Sequence, residues 1–217
     1  MEKKIKWGIL GLGKIATKFT HDLQLSDNSI LQGVASRDLN RAKEFRRKFN
    51  AVGYYGSYEE LANDPEVDVV YIATPHVFHF ENTMMCLKAG KSVLCEKPMG
   101  IDSTQVQKMV EEAQSRNLFL MEGMWTRFIP ATEKLVELLE QKAIGAIQHI
   151  VADFGFKAPY DIDGRLFNKQ LGGGSLLDVG IYPIYFSLLT LGVPHDLKAT
   201  ARMTKTGVDS YCAMLLD

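Results

Sequence analysis

One stretch near the start, Gly8-Ile9-Leu10-Gly11-Leu12-Gly13-Lys14-Ile15-Ala16, limits the folds open to this chain more than any other. An apolar run, residues 5–10, enters it. Apolar residues at Leu12, Ile15, Phe19 and Leu23 leave it. The first pattern is that of a strand and the second that of an amphipathic helix. A strand, a glycine turn and a helix in that order offer free N–H groups and the positive end of a helix dipole. Gly11 permits the tight turn, Gly13 has no Cβ to obstruct a phosphate, and Ala16 lets the helix lie close to the strand. The arrangement predicts a dinucleotide site with Gly11, Gly13, Lys14 and Ile15 among its residues. A purely structural glycine turn is the alternative.

Beyond this stretch the chain repeats the alternation of strand and helix. Helices are predicted over 14–23, from Ser36-Arg37-Asp38 onward with the face Leu39, Ala42, Phe45 and Phe49, over 77–88, and from a Ser103 cap to about Arg116. Strands are predicted over 29–35, around Tyr54-Tyr55, and over 67–73, 92–95 and 118–121. That order predicts right-handed βαβ units and a doubly wound parallel sheet over residues 1–123. Near residue 123 the pattern changes. Helices over 130–142 and 175–191 and strand-like runs over 147–156, 197–204 and 210–216 predict a second, α+β domain over 124–217, with an open antiparallel or mixed sheet. Two or three strands with one apolar face need more sheet to be stable, so the sequence is expected to be a shortened form of a longer protein.

Bulk properties exclude several classes. With 46% hydrophobic and 24% charged residues among 217, a sizeable core is available. A net charge of −1, from 25 basic and 26 acidic residues, gives no support for a nucleic-acid or anionic-membrane partner. No apolar run is expected to be long enough to span a bilayer. The three cysteines, Cys86, Cys95 and Cys212, form no C-x-x-C pair and read as reduced thiols of a cytoplasmic protein.

The end of the second strand bears on the choice of cofactor. NAD sites usually place an acid there for the ribose 2′-hydroxyl. Here the tip is Ala35-Ser36-Arg37, with Arg41 a turn later. A hydroxyl and two guanidinium groups suit a 2′-phosphate and favour NADP, with NAD still possible through Asp38. The bland alternative is a solvated helix side. A second motif, Cys95-Glu96-Lys97-Pro98, stands at the C-terminal end of a strand, the edge at which open parallel sheets bind ligands. A lysine there can bond a ribose and favour ionisation of a neighbouring acid, and Pro98 admits a cis peptide bond. A surface turn is the alternative. Further on, Asp178 and Tyr182 stand four apart after Gly172-Gly173-Gly174, which puts a carboxylate and a phenol on one helix face. Pro183 predicts a distortion of that helix.

Together these motifs resemble the Gfo/Idh/MocA family of NAD(P)-dependent oxidoreductases. The resemblance rests on Glu96-Lys97-Pro98, on Ala73-Thr74-Pro75 with His79 four residues later, and on Ala89-Gly90-Lys91. Met121-Glu122-Gly123-Met124-Trp125-Thr126-Arg127-Phe128 is most similar to the branch of dimeric dihydrodiol dehydrogenases and NADP-dependent D-xylose dehydrogenases. The resemblance implies that Thr74, Pro75, His79, Glu96 and Lys97 join Ser36, Arg37 and Arg41 at the cofactor. It also implies that Tyr182 transfers a proton with help from Lys97 and Asp178. Trp125, Arg127, Phe154 and Tyr160 are candidates to line a substrate pocket, with ordinary core aromatics as the alternative. The implied reaction moves hydride between nicotinamide and a CH–OH carbon of a sugar or cyclic diol, in a homodimer or higher oligomer. A nucleotide-binding regulator without turnover is the alternative on the same scaffold. His76 and His79 are three apart, but no carboxylate or cysteine cluster accompanies them, so no metal is expected.

Overall fold

Six short apolar runs lie side by side in the computed structural model, which describes residues 3–217. They are β1 (Ile5–Leu10), β2 (Ser29–Ala35), β3 (Gly53–Tyr55), β4 (Val69–Ile72), β5 (Ser92–Cys95) and β6 (Leu120–Glu122). All are parallel, in the order β3-β2-β1-β4-β5-β6. The connecting helices are α1 (Lys14–Leu23), α2 (Leu39–Phe49), α3 (Tyr58–Ala62), α4 (His79–Lys88) and α5 (Ser103–Ser115). Strand alternation sends successive side chains to opposite faces. Ile9, Val34 and Tyr71 pack with Ala16, Phe45 and Phe49 of α1 and α2. Leu10, Val70, Ile72 and Val93 pack with Leu61, Leu87 and Met109 of α3, α4 and α5. Full burial of each such large apolar side chain is worth about 1.5–3 kcal/mol, and it explains why these strands are apolar on both faces.

Polar caps set the helix starts. The Asp38 carboxylate accepts from the N–H groups of Asn40 and Arg41, and Ser57 and Glu60 form a reciprocal capping box on α3. Helix α5 is capped by Asp102 rather than by the expected Ser103. Asp102 is the extended residue, and its carboxylate accepts from Gln105 N at 2.9 Å, while Ser103 already lies in the helix. Lys91 is buried, but its ammonium group donates to Asp64 O at 2.6 Å and Val67 O at 2.8 Å, tying the turn after α3 to the start of β5.

The chain divides into two units, Met1–Gly123 and Met124–Asp217. The second contains α6 (Pro130–Glu140), α7 (Ile181–Leu191) and an antiparallel pair, β7 (Leu197–Met203) and β8 (Asp209–Leu216). Residues 147–156, expected as a strand, are not one. Their side chains have strand-like apolar character, but the β7–β8 sheet has two strands only, and an extended segment without a ladder partner is no strand. The second unit also holds a longer apolar stretch than expected. By length and composition alone, Lys169–Leu191 is long and apolar enough to cross a membrane. The stretch is interrupted, however, by Gly172 and Gly174 at φ of +72° and +127°, and it carries Asp178.

Candidate functional site

The candidate residues fall in two groups, one in each unit. In the first unit, the carboxyl ends of β1 and β4 lie side by side where the strand order reverses. Gly11 follows β1 at φ +88°. A Cβ on it would lie 2.9 Å from the Ala73 carbonyl carbon and from Thr74 N. Both the dihedral and the close approach therefore require glycine. Gly13, the first residue before α1, has open space where its Cβ would project. No side chain caps α1 there, and its first turn holds no acid. The residues thus fit an anionic pyrophosphate on bare N–H groups.

Around this turn, Arg41 Nη2 donates to Leu12 O at 2.6 Å, and the Arg37 guanidinium stands 5.8 Å from the centre of the Phe78 ring. Ser36 is buried, and its hydroxyl accepts from Asp38 N at 3.1 Å. Asp38, the residue that kept NAD open, spends its carboxylate on the α2 cap. Lys14 and Ile15 lie in the exposed first turn of α1.

The loop after β5 is held on several sides. Glu96 N donates to Ile72 O at 3.0 Å, Gly123 N to Cys95 O at 2.6 Å, and Met99 N to Glu122 Oε1 at 2.7 Å. The Lys97–Pro98 peptide is cis. His79 is 1% exposed, with Nδ1 2.7 Å from Pro98 O and Nε2 2.8 Å from Thr74 O. A neutral ring donates to one of the two carbonyls. Burial opposes its charged form and holds His79 below the ordinary histidine value, against the opposite pull of the two carbonyls. His79 thus joins Thr74 to the Lys97–Pro98 loop from beneath, with Asn82 Nδ2 donating to Thr74 Oγ1 at 3.1 Å. Burial also raises the Glu96 carboxyl above the usual range, although a hydrogen bond from the Tyr71 phenol favours its charged form.

In the second unit Tyr182 is the centre of the group. The Trp125 indole donates to its hydroxyl at 3.2 Å, and the Phe154 ring centre is 5.4 Å from its own. Arg127 lies in the same short 3₁₀ turn as Trp125, Trp125–Phe128. Asp178 sits one turn before Tyr182 in a π turn, Leu176–Gly180, so the distortion expected at Pro183 falls just ahead of it. A cavity of about 720 Å³ lies within this unit; Phe154, Asp178, Pro183 and Asp209 contribute to its wall. Two participants were missed in the sequence. Arg165 Nη1 meets Asp178 Oδ1 at 3.2 Å, from a polar loop without periodicity. Asp209 Oδ2 accepts from Ser175 Oγ at 2.6 Å and Leu176 N at 2.7 Å, anchoring the π turn to β8. A Cβ at Gly174 would lie 2.2 Å from Asp209 Oδ1, so the third glycine makes room for that anchor.

A bare helix N-terminus behind a glycine turn, on a parallel sheet that reverses order at that point, defines a dinucleotide-binding α/β protein. The chain belongs to the Gfo/Idh/MocA oxidoreductase family. Residues 5–124 match the model of the oxidoreductase family with an NAD-binding Rossmann fold, and residues 132–217 match the Gfo/Idh/MocA C-terminal domain. Trans-1,2-dihydrobenzene-1,2-diol dehydrogenase of mouse is 46% identical over 217 residues, and that of pig 47% over 216. Each alignment covers 98% of this chain and 64% of the relative, so the chain spans about two thirds of their length. Among solved structures, a mutant 3-ketoreductase from Actinomadura kijaniata in complex with TDP-benzene and NADP superposes with a TM-score of 0.90. It is 31% identical, and the match covers 99% of this chain and 66% of that one. An aldose-aldose oxidoreductase from Caulobacter crescentus complexed with glycerol gives a TM-score of 0.89 at 26% identity, covering 98% and 67%.

Proposed function

We propose that this chain serves NADP-preferring, reversible hydride transfer at a CH–OH carbon of a cyclic diol or sugar. The bound nicotinamide would supply hydride acceptance and donation. The residues of the chain bind, orient and move the proton. Gly11, Gly13 and the first turn of α1 take the pyrophosphate; Ser36, Arg37 and Arg41 take the 2′-phosphate, through charge-assisted bonds. Lys97 holds ribose and substrate oxygens. Tyr182 removes the substrate hydroxyl proton in the oxidative direction and returns it in the reductive one. Asp178 orients a neighbouring hydroxyl, and Trp125 and Phe154 pack against an apolar ring face.

One observation carries the reading: the indole N–H of Trp125 is aimed at the Tyr182 oxygen, the atom that bears negative charge once its proton has left. The relatives' names supply the substrate class to be tried, a trans-dihydrobenzenediol, and the structural neighbours add sugars. The decisive test is Tyr182→Phe, with NADPH binding measured beside turnover of trans-1,2-dihydrobenzene-1,2-diol and D-xylose. Turnover is expected to fall by about 10²–10⁴ with unchanged NADPH affinity. Unchanged turnover removes the tyrosine from the mechanism. Binding of NADPH by the unmutated chain without turnover across a panel of diols and sugars favours the regulator instead.

A further inference from the structure

Tyr71 lies in the middle of a strand whose neighbours are all apolar, and it is 1% exposed. A phenol so deeply buried needs a partner for its hydroxyl. In the β4–β5 ladder Tyr71 faces Leu94, and Ile72 faces Cys95. Alternation therefore brings Glu96, two residues past Leu94, to the same sheet face as Tyr71, at the diagonal distance that a long aromatic side chain spans. The phenol donates to Glu96 Oε1, and the other carboxylate oxygen, Oε2, accepts from the backbone N–H of Lys97 at 3.3 Å. The Tyr71 ring is itself fixed. Phe19 of α1 stacks on it with ring centres 3.8 Å apart and planes 17° from parallel, and Trp7 of β1 meets Phe19 edge-on at 5.5 Å. Gly123 closes the remaining side, since a Cβ there would lie 3.3 Å from Glu96 Cα.

We propose that Tyr71 is a positioning residue for Lys97: its phenol holds the Glu96 carboxylate over the Lys97 N–H, and so sets the lysine's backbone from the rigid interior of the sheet. The inference rests on the reading of Lys97 as a cofactor-side residue. Glu96 is then an intermediary, and the aromatic brace Trp7–Phe19–Tyr71 links the helix behind the glycine turn to the lysine loop. Burial raises the Tyr71 phenol above its usual range, so the phenol keeps its proton and stays the donor.

The test uses the full 217-residue chain and its variants Tyr71→Phe, Glu96→Gln, the double variant and Lys97→Met. Amide exchange of Lys97 is read by NMR, and NADPH affinity by fluorescence. Tyr71→Phe is expected to speed exchange of the Lys97 amide about tenfold and to weaken NADPH binding by a similar factor. In the Glu96→Gln background the same change should add nothing further, because the phenol acts through that carboxylate. Unchanged Lys97 exchange in Tyr71→Phe overturns the proposal. So does additive loss in the double variant, which is the signature of general core damage. Lys97→Met tests the underlying reading separately: unchanged NADPH affinity there removes Lys97 from the cofactor, whatever its amide reports in the tyrosine variant.

Discussion

Arg37 and His79 act by different physics. Arg37 is exposed and stands over Phe78, so its value lies in what it offers a ligand. Arg37→Ala is expected to lower kcat/KM with NADP about tenfold relative to NAD, and an unchanged ratio for the two cofactors refutes the preference. His79 acts on the protein itself. Its native ring resists a proton that the unfolded chain accepts below about 6.5. Between that value and the lower native one, the unfolded state binds more protons, so stability falls as pH drops through the window and is fully present above it. Thermal melts of His79→Gln should show a shallower decline from pH 7 to pH 5 than the unmutated chain, although the substitution lowers stability at pH 7. The serine and arginines of the β2 tip were legible as residue types after a strand. The burial of His79 between two carbonyls was not, because Pro98 lies 19 positions away in sequence.

Among the elements, α1, α2, α4, α5 and β1 to β6 were legible from apolar patterning and from the glycine, proline or cap near their ends. Shorter strands than expected at β4 and β6 reflect where the ladder bonds begin, which no single strand records. The π turn before α7 was foreseen only as a distortion near proline. Its cause lies in β8, where the Asp209 carboxylate takes the Ser175 hydroxyl and the Leu176 N–H. Asp209→Ala should therefore cost about 1–3 kcal/mol of local stability. Amide exchange in α7 would report the loss, as faster opening of the segment that carries Asp178 and Tyr182, while β1 and β4 are unaffected.

Across the whole chain, burial is unevenly shared. The fully buried large side chains, among them Ile9, Phe49, Tyr71 and Met109, all belong to the first unit; in the second, Met124 and Val208 are the hydrophobic side chains in the buried class among the described residues. Every residue of β7 is exposed, and a two-stranded sheet is marginal by itself. Native-state exchange is expected to show slow amides in β1, β4 and β5 and fast ones throughout β7 and β8; equal protection in the two units refutes this. The parallel sheet has one more consequence. All six strands leave it at the same edge, and Gly11, Ser36, Gly56, Ala73, Glu96 and Gly123 are the first residues beyond that edge. The opposite edge carries connecting turns such as residues 24–28, 50–52 and 116–119. Heritable change is thereby partitioned in space. Insertions along the rim of connecting turns lie away from the candidate cofactor residues, whereas insertions along the other rim would displace them.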